Sequence, residues 1–273
     1  MRNKKILLVL AFMAMLVLLS VFFNSSSQRV VVYGDSRLGH QTHRKIVRAI
    51  CNKRPKIVFH TGDLVTESPR EWATVNQITR PLRQGAQFYP VIGNHEYKAG
   101  IESYFDNFQL PYNEQWYSLE RYGVHFIVLD SNEDLKQGSL QRSWLKEDLN
   151  NIGEDINFVI ALFHHPPFSR HKYDEKNLLN LLVPLLEEYK VDLVFNGHQH
   201  AYERLRRNDI YYIVTGGGGA PLHQATMAQP FSQKFITVNN FCVLDIANNQ
   251  LDLKVYDLNT RLIDRLKIKK APR

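Results

Sequence analysis

Two histidines one residue apart, His198 and His200, sit in the run FNGHQHAYER at the end of an apolar stretch formed by Val191, Leu193, Val194 and Phe195. In extended backbone, residues i and i+2 point to the same side. Both imidazoles can therefore aim at one point, and neutral imidazole is a common metal ligand. Taken alone, His-x-His fits an exposed polar loop. The same event recurs along the chain, however: short apolar runs lead to Gly34-Asp35, Thr61-Gly62-Asp63, Gly93-Asn94-His95-Glu96 and His164-His165-Pro166-Pro167. Five strand ends thus deliver oxygen or imidazole groups, and a glycine repeatedly precedes them, permitting sharp turns and close backbone approach. Each piece has an innocent reading as a turn or a helix cap. Their joint arrangement points to a metal centre.

The elements that must carry these groups follow from periodicity. RVVVY (29–33), KIVFH (56–60), QFYPVI (87–92), VHFIVLD (124–130), NFVIALF (157–163), VDLVF (191–195) and IYYIV (210–214) read as strands. Helices fit 41–52, 70–83, 139–150 and 175–190, and beyond 235 the pattern predicts strands alone. Strands alternating with helices and then consecutive hairpins imply an α/β fold of mixed sheets flanked by helices. In such folds ligands gather at the carboxyl ends of strands.

At 273 residues, with 44% hydrophobic and 22% charged side chains, the chain can bury a substantial core. The net charge of +7 includes Arg2, Lys4 and Lys5 at one end and four basic residues in the terminal KIKKAPR. These read as solvated tails, so no nucleic-acid partner is expected; a basic surface also suits anionic small substrates. Ile6 to Phe23 is apolar and uncharged, just long enough to span a bilayer. The positive residues before it should stay in the cytoplasm, which sends the rest outward. Residues 1–27 are thus expected to be a membrane anchor, or a signal cleaved after Ser27, with an exported domain at 28–273. Cys51 and Cys242 permit one disulfide or two buried thiols.

The order GD…GDL…GNHE…HHPP…NGHQH resembles the calcineurin-like metallophosphoesterase superfamily, and GNHE with GHQHAYER is most similar to its purple acid phosphatase branch. The resemblance runs from about residue 29 to 220, without the N-terminal β-sandwich of plant-type members. It implies two mixed β-sheets packed as a sandwich between helices, and two divalent or trivalent metal ions, of iron, zinc or manganese. By the same resemblance Asp63 bridges the ions, Asn94, His164 and His198 complete one shell, and Asp35 and His200 bind the other ion. His164 is chosen over His165 because the family pattern is His-x-Pro; His165 then supports from behind.

One departure stands out. Where the family places a further histidine or tyrosine on the first ion, this chain has Arg37 and Thr66. Water, His40, His43 or, less readily, Thr66 could fill the gap, and Arg37 could hold a substrate phosphate in its fork of donors or form a salt bridge on the rim. His95, beside Asn94, is placed to bind phosphate or protonate the leaving oxygen. His171 is a candidate second donor or a surface histidine. The stretch GGGGAPLH, Gly216 to His223, follows a strand and could line the pocket rim, but reads more readily as a flexible turn. The resemblance implies a phosphatase acting on small phosphate monoesters; a phosphodiesterase of nucleotides or lipid head groups, and a non-catalytic protein with a weakened metal site, are the alternatives.

Overall fold

The strand β1 (Gln28–Tyr33) shows how the layers arise. Val30 and Val32 enter one apolar cluster and Val31 and Tyr33 another, because successive side chains of a strand point to opposite faces. A strand apolar on both faces needs cover on both. The computed structural model, which describes residues 28–171, 178–247 and 249–270, supplies it with two sheets and flanking helices.

In the six-stranded sheet, β2 (Ile57–His60) and β3 (Gln87–Pro90) run parallel to β1 on one side. The second sheet has seven strands. From one edge to the other these are β4 (Tyr117–Arg121), β5 (Val124–Val128), β6 (Phe158–Leu162), β7 (Leu193–Asn196), β9 (Ile210–Thr215), β8 (Tyr202–Arg207) and β10 (Ser232–Ile236). Of these, β5, β6, β7 and β9 are parallel. The hairpins β11 (Asn240–Ala247), β12 (Gln250–Asp257) and β13 (Leu262–Lys269) complete the first sheet, antiparallel, on the other side of β1. Val32, Phe59, Phe126, Ile160 and Phe195 meet between the sheets. Helices α1 (His40–Asn52) and α2 (Trp72–Gly85) cover the outer face of the first through Ile46, Ile50, Ile78 and Leu82. The short helices α3 (Asn94–Lys98) and α4 (Glu102–Phe105) follow β3. Helices α5 (Leu140–Asn150) and α6 (Val183–Glu188) cover the second sheet through Leu145, Leu149, Val183 and Leu186. The mixed sheets flanked by helices expected from the alternation, packed as the sandwich that the resemblance implies, are the architecture found, and the loops after β1, β2, β3, β6 and β7 carry the ligand-capable residues.

Two differences have physical causes. The expected single helix over 175–190 is a π-helical turn at Leu178–Leu182 followed by α6, because Pro184 belongs in a first turn, where its missing N–H costs nothing. The segment Tyr202–Arg207, absent from the expected strands, is strand β8: Tyr202 and Leu205 are buried, and Arg204 is neutralised by Asp264 of β13 at 2.8 Å, a partner sixty residues away. Cys51 on α1 and Cys242 on β11 are free thiols. The expected anchor or signal, residues 1–27, lies outside the described residues, among which no helix is long and apolar enough to cross a membrane.

The packing of α5 on the second sheet contains a titratable clamp. His125 Nε2 lies 2.8 Å from Asp148 of α5 and its Nδ1 3.3 Å from Glu120 of β4. Burial by itself would lower the His125 pKa, but bonding to Asp148 and Glu120 outweighs it and raises the pKa above its ordinary value. A raised histidine contributes stability that is complete below its unfolded pKa and fades as pH rises through the folded one. Denaturant midpoints taken from about pH 5 to about pH 9 should therefore show the gap between wild type and His125→Gln closing as pH rises. A gap that widens would reverse the sign of this contribution.

Candidate metal centre

Three residues of the centre hold left-handed backbone: Asp35 (φ 57°), Asp63 (φ 61°) and His198 (φ 64°). Each directly follows a glycine, and Gly62 is itself at φ 95°, where an added Cβ would come within 2.6 Å of His164 Nδ1. Such conformations cost roughly 1–3 kcal/mol and persist where surrounding structure imposes them. Here the turns point the Asp35 and Asp63 carboxylates inward, where both are buried.

Asp63 lies between two groups. On one side its Oδ1 is 3.4 Å from His164 Nε2, and Asn94 Oδ1 is 3.1 Å from that same nitrogen and 3.0 Å from His198 Nδ1. On the other, Asp35, Asp63 and His200 bring ligand-capable atoms within 4.8 Å of one another. The His198 backbone N–H donates to both Asp35 oxygens, at 2.9 and 3.0 Å, tying the two groups together. All six residues expected as ligands thus converge on one place. His165 is there too, within 4.8 Å of His164 and His198, with its Nδ1 against the Ser131 hydroxyl at 2.8 Å.

The donor chemistry fits cations. His164 donates Nδ1–H to the Thr61 carbonyl at 2.7 Å, and His200 donates Nδ1–H to the Pro221 carbonyl at 2.7 Å, so each ring turns its Nε2 toward a carboxylate. Burial holds His164 well below its ordinary pKa, with neighbouring histidines adding to the effect. Its Nε2 lone pair consequently faces the oxygen of Asn94, an arrangement that a positive ion between them satisfies. Burial also pushes the Asp35 carboxyl up to about 7, against the pull of His200, and Glu96 up to about 8. Burial thus resists ionisation of these carboxyls, and a cation bound beside Asp35 would offset that cost by favouring its charged form.

Glu96, to which sequence reasoning gave no role, is the keystone of the loops. Its carboxylate accepts backbone N–H groups of Gly93 (2.7 Å), Asp63 (2.9 Å) and Leu64 (2.7 Å). The signal was present: a glutamate at the third position of a helix commonly folds back on the residues before the helix.

His95 donates Nδ1–H to the Thr66 carbonyl at 2.6 Å and places Nε2 3.9 Å from Asp63 Oδ2. The two histidine candidates for the missing ligand, His40 and His43, join neither group. His43 is buried with Nε2 against the Tyr33 hydroxyl at 3.1 Å, His40 opens α1 outside both groups, and the Thr66 hydroxyl has no hydrogen-bond partner. Arg37 instead directs Nε to Asp63 Oδ2 at 3.2 Å.

His171 lies beyond these groups. Its ring stacks on His223 (centroids 4.8 Å apart), which stacks on His200 (4.0 Å). This file of imidazoles leads to a cavity of about 490 Å³ walled by Pro166, Phe168, Leu179, Arg207 and Phe231. His223 closes the stretch GGGGAPLH, which the sequence allows to line the pocket rim but which reads more readily as a flexible turn. That run is close-packed instead: a Cβ on Gly216 would meet the Gln199 carbonyl oxygen at 2.3 Å and one on Gly218 the Gly34 carbonyl oxygen at 2.3 Å.

The family model described as calcineurin-like phosphoesterase matches residues 28–202. Purple acid phosphatase 23 of Arabidopsis thaliana is 33% identical over 177 residues, covering 56% of this chain and 38% of its own. The chain thus spans less than half the length of that curated relative. Among solved structures, purple acid phosphatase PPD1 from yellow lupin (Lupinus luteus) seeds superposes with a TM-score of 0.78 at 21% identity, covering 90% of this chain and 54% of that one. GAP50 of Plasmodium, titled the anchor in the inner membrane complex, superposes with a TM-score of 0.72 at 18% identity, covering 90% of both chains.

Proposed function

The chain belongs to the calcineurin-like phosphoesterase family, and from that premise we propose that it is a hydrolase of phosphate monoesters working with two metal ions. The observation that carries this reading is the carboxylate of Asp63 lying between the Asn94–His164–His198 group and the Asp35–His200 pair. In this reading Asn94, His164 and His198 hold one ion, Asp35 and His200 the other, and Asp63 both, with His165 supporting from behind. The mixed oxygen and nitrogen donors suit iron, zinc or manganese. Bound there, the ions supply Lewis acidity toward phosphoryl oxygens and a water acidic enough to react near neutrality.

The chain's own contribution is orientation. The Thr61 and Pro221 carbonyls fix the tautomers of His164 and His200 and make their Nε2 atoms more basic. His95 is anchored through Nδ1, so only its protonated form offers an Nε2–H to a phosphate or leaving oxygen. Burial lowers its pKa, so that form is populated only on the acid side. His95→Asn should keep metal content and lose about 10²–10⁴-fold in turnover on a monoester. Elemental analysis beside initial rates decides this, and a variant stripped of metal would make His95 a ligand instead.

A second reading, a metal-binding protein without turnover, is favoured by the Arg37–Asp63 contact, since a guanidinium already occupies one face of the shared carboxylate. Assay of the full chain with mono- and diester substrates across several metals separates the readings. Absence of hydrolysis at full metal loading would overturn the first.

A further inference from the structure

Arg37 is held where it cannot be ignored. Its side chain is 15% exposed and its partner Asp63 1%. The N–H groups of Ser36 and Arg37 donate to the Asp63 carbonyl at 3.1 and 3.2 Å. Behind this loop, Gly218 N–H donates to the Gly34 carbonyl (2.7 Å) and Ala220 N–H to the Asp35 carbonyl (2.9 Å). A Cβ on Gly39 would overlap the Gly219 carbonyl oxygen. The backbone of Arg37 therefore has nowhere to retreat. Its guanidinium, on a flexible stem at the rim, is the part that can move.

The oxygen that Arg37 contacts belongs to the carboxylate shared by both groups, and Asp63 shares its second group with Asp35 and His200. A fixed cation at that place and a metal ion beside Asp35, Asp63 and His200 repel one another. A charge within about 4–6 Å typically moves a protonation equilibrium by about 1–3 pH units, and a divalent ion responds at least as strongly. A guanidinium also matches a phosphate oxyanion in shape and charge, and an arriving anion offers it a better partner than a carboxylate shared with a metal.

We propose that Arg37 stands in for the second cation at rest, and that phosphate binding draws its guanidinium off Asp63 so that this ion and the anion bind together. The proposal rests on the two-ion reading above. The centre would then load in order: the ion of Asn94, His164 and His198 first, the second only with an oxyanion present.

The test is metal binding to the full chain, stripped with chelator and titrated with Mn²⁺ by calorimetry, with and without inorganic phosphate. Wild type should take up one ion alone and a second when phosphate is added. Arg37→Met, which keeps the stem and loses the charge, should take up both without phosphate, its second step tighter by at least ~10-fold. Two equally tight ions in wild type without phosphate would overturn the proposal, and so would phosphate strengthening the second step equally in both proteins. If the variant fails to fold, the phosphate dependence of the wild-type second step decides alone. Should neither protein bind a second ion under any condition, the two-ion reading fails, and this proposal with it.

Discussion

Asp63→Asn should lose both ions and its hydrolytic activity together. Asparagine keeps the shape and still accepts the His95 backbone N–H, which Asp63 Oδ1 receives at 3.1 Å, so the fold is expected to survive. What disappears is the charge facing His164 on one side and Asp35 with His200 on the other. Even loss of a residue that merely supports a ligand typically costs about 10–100-fold in affinity, and here a ligand proposed for both ions is weakened at once. Affinity should fall by more than that at each position, and turnover to background. Elemental analysis and circular dichroism of the same preparation check it. A folded variant with both ions in place would show that the carboxylate does not bridge them.

The second large effect is structural. Glu96→Ala should bring the domain close to unfolding, because the Gly93, Asp63 and Leu64 N–H groups would be left buried without an acceptor. Each orphaned group costs about 1–3 kcal/mol, and three together approach the ~5–15 kcal/mol that holds a domain folded. Glu96→Gln retains one acceptor oxygen and should be milder. Urea denaturation of both variants measures this. An alanine variant within about 1 kcal/mol of wild type would mean that water replaces the carboxylate, against the burial seen here.

These two residues differ in how readable they were. Asp63 announces itself, since a glycine–aspartate pair after an apolar run is local information, and the same holds for Asp35, Asn94, His164 and His198. The sandwich was equally legible, because β1 and β6 are apolar on both faces and so require layers on both sides. What escaped depends on partners distant in sequence. Strand β8 carries three arginines and looks like a loop until Asp264 arrives beside Arg204. His223 joins the file of imidazoles only because the glycine run packs against the loop after β1. Arg37 could be seen as a departure from a pattern, but its choice of Asp63 as partner is a fact of three dimensions.

The left-handed turns at Asp35, Asp63 and His198 bear on the order in which the molecule takes shape. Glycine would relax all three, yet glycine offers no oxygen or imidazole, so the tension cannot be relieved without giving up the side chains that the site needs. Nothing in the local sequence favours these conformations over extended backbone. They are imposed from outside, by the paired parallel strands and, at Asp63, by Glu96 accepting its N–H from 33 residues downstream. The sandwich is therefore expected to assemble before its rim, with any metal taken up once the loops are in place.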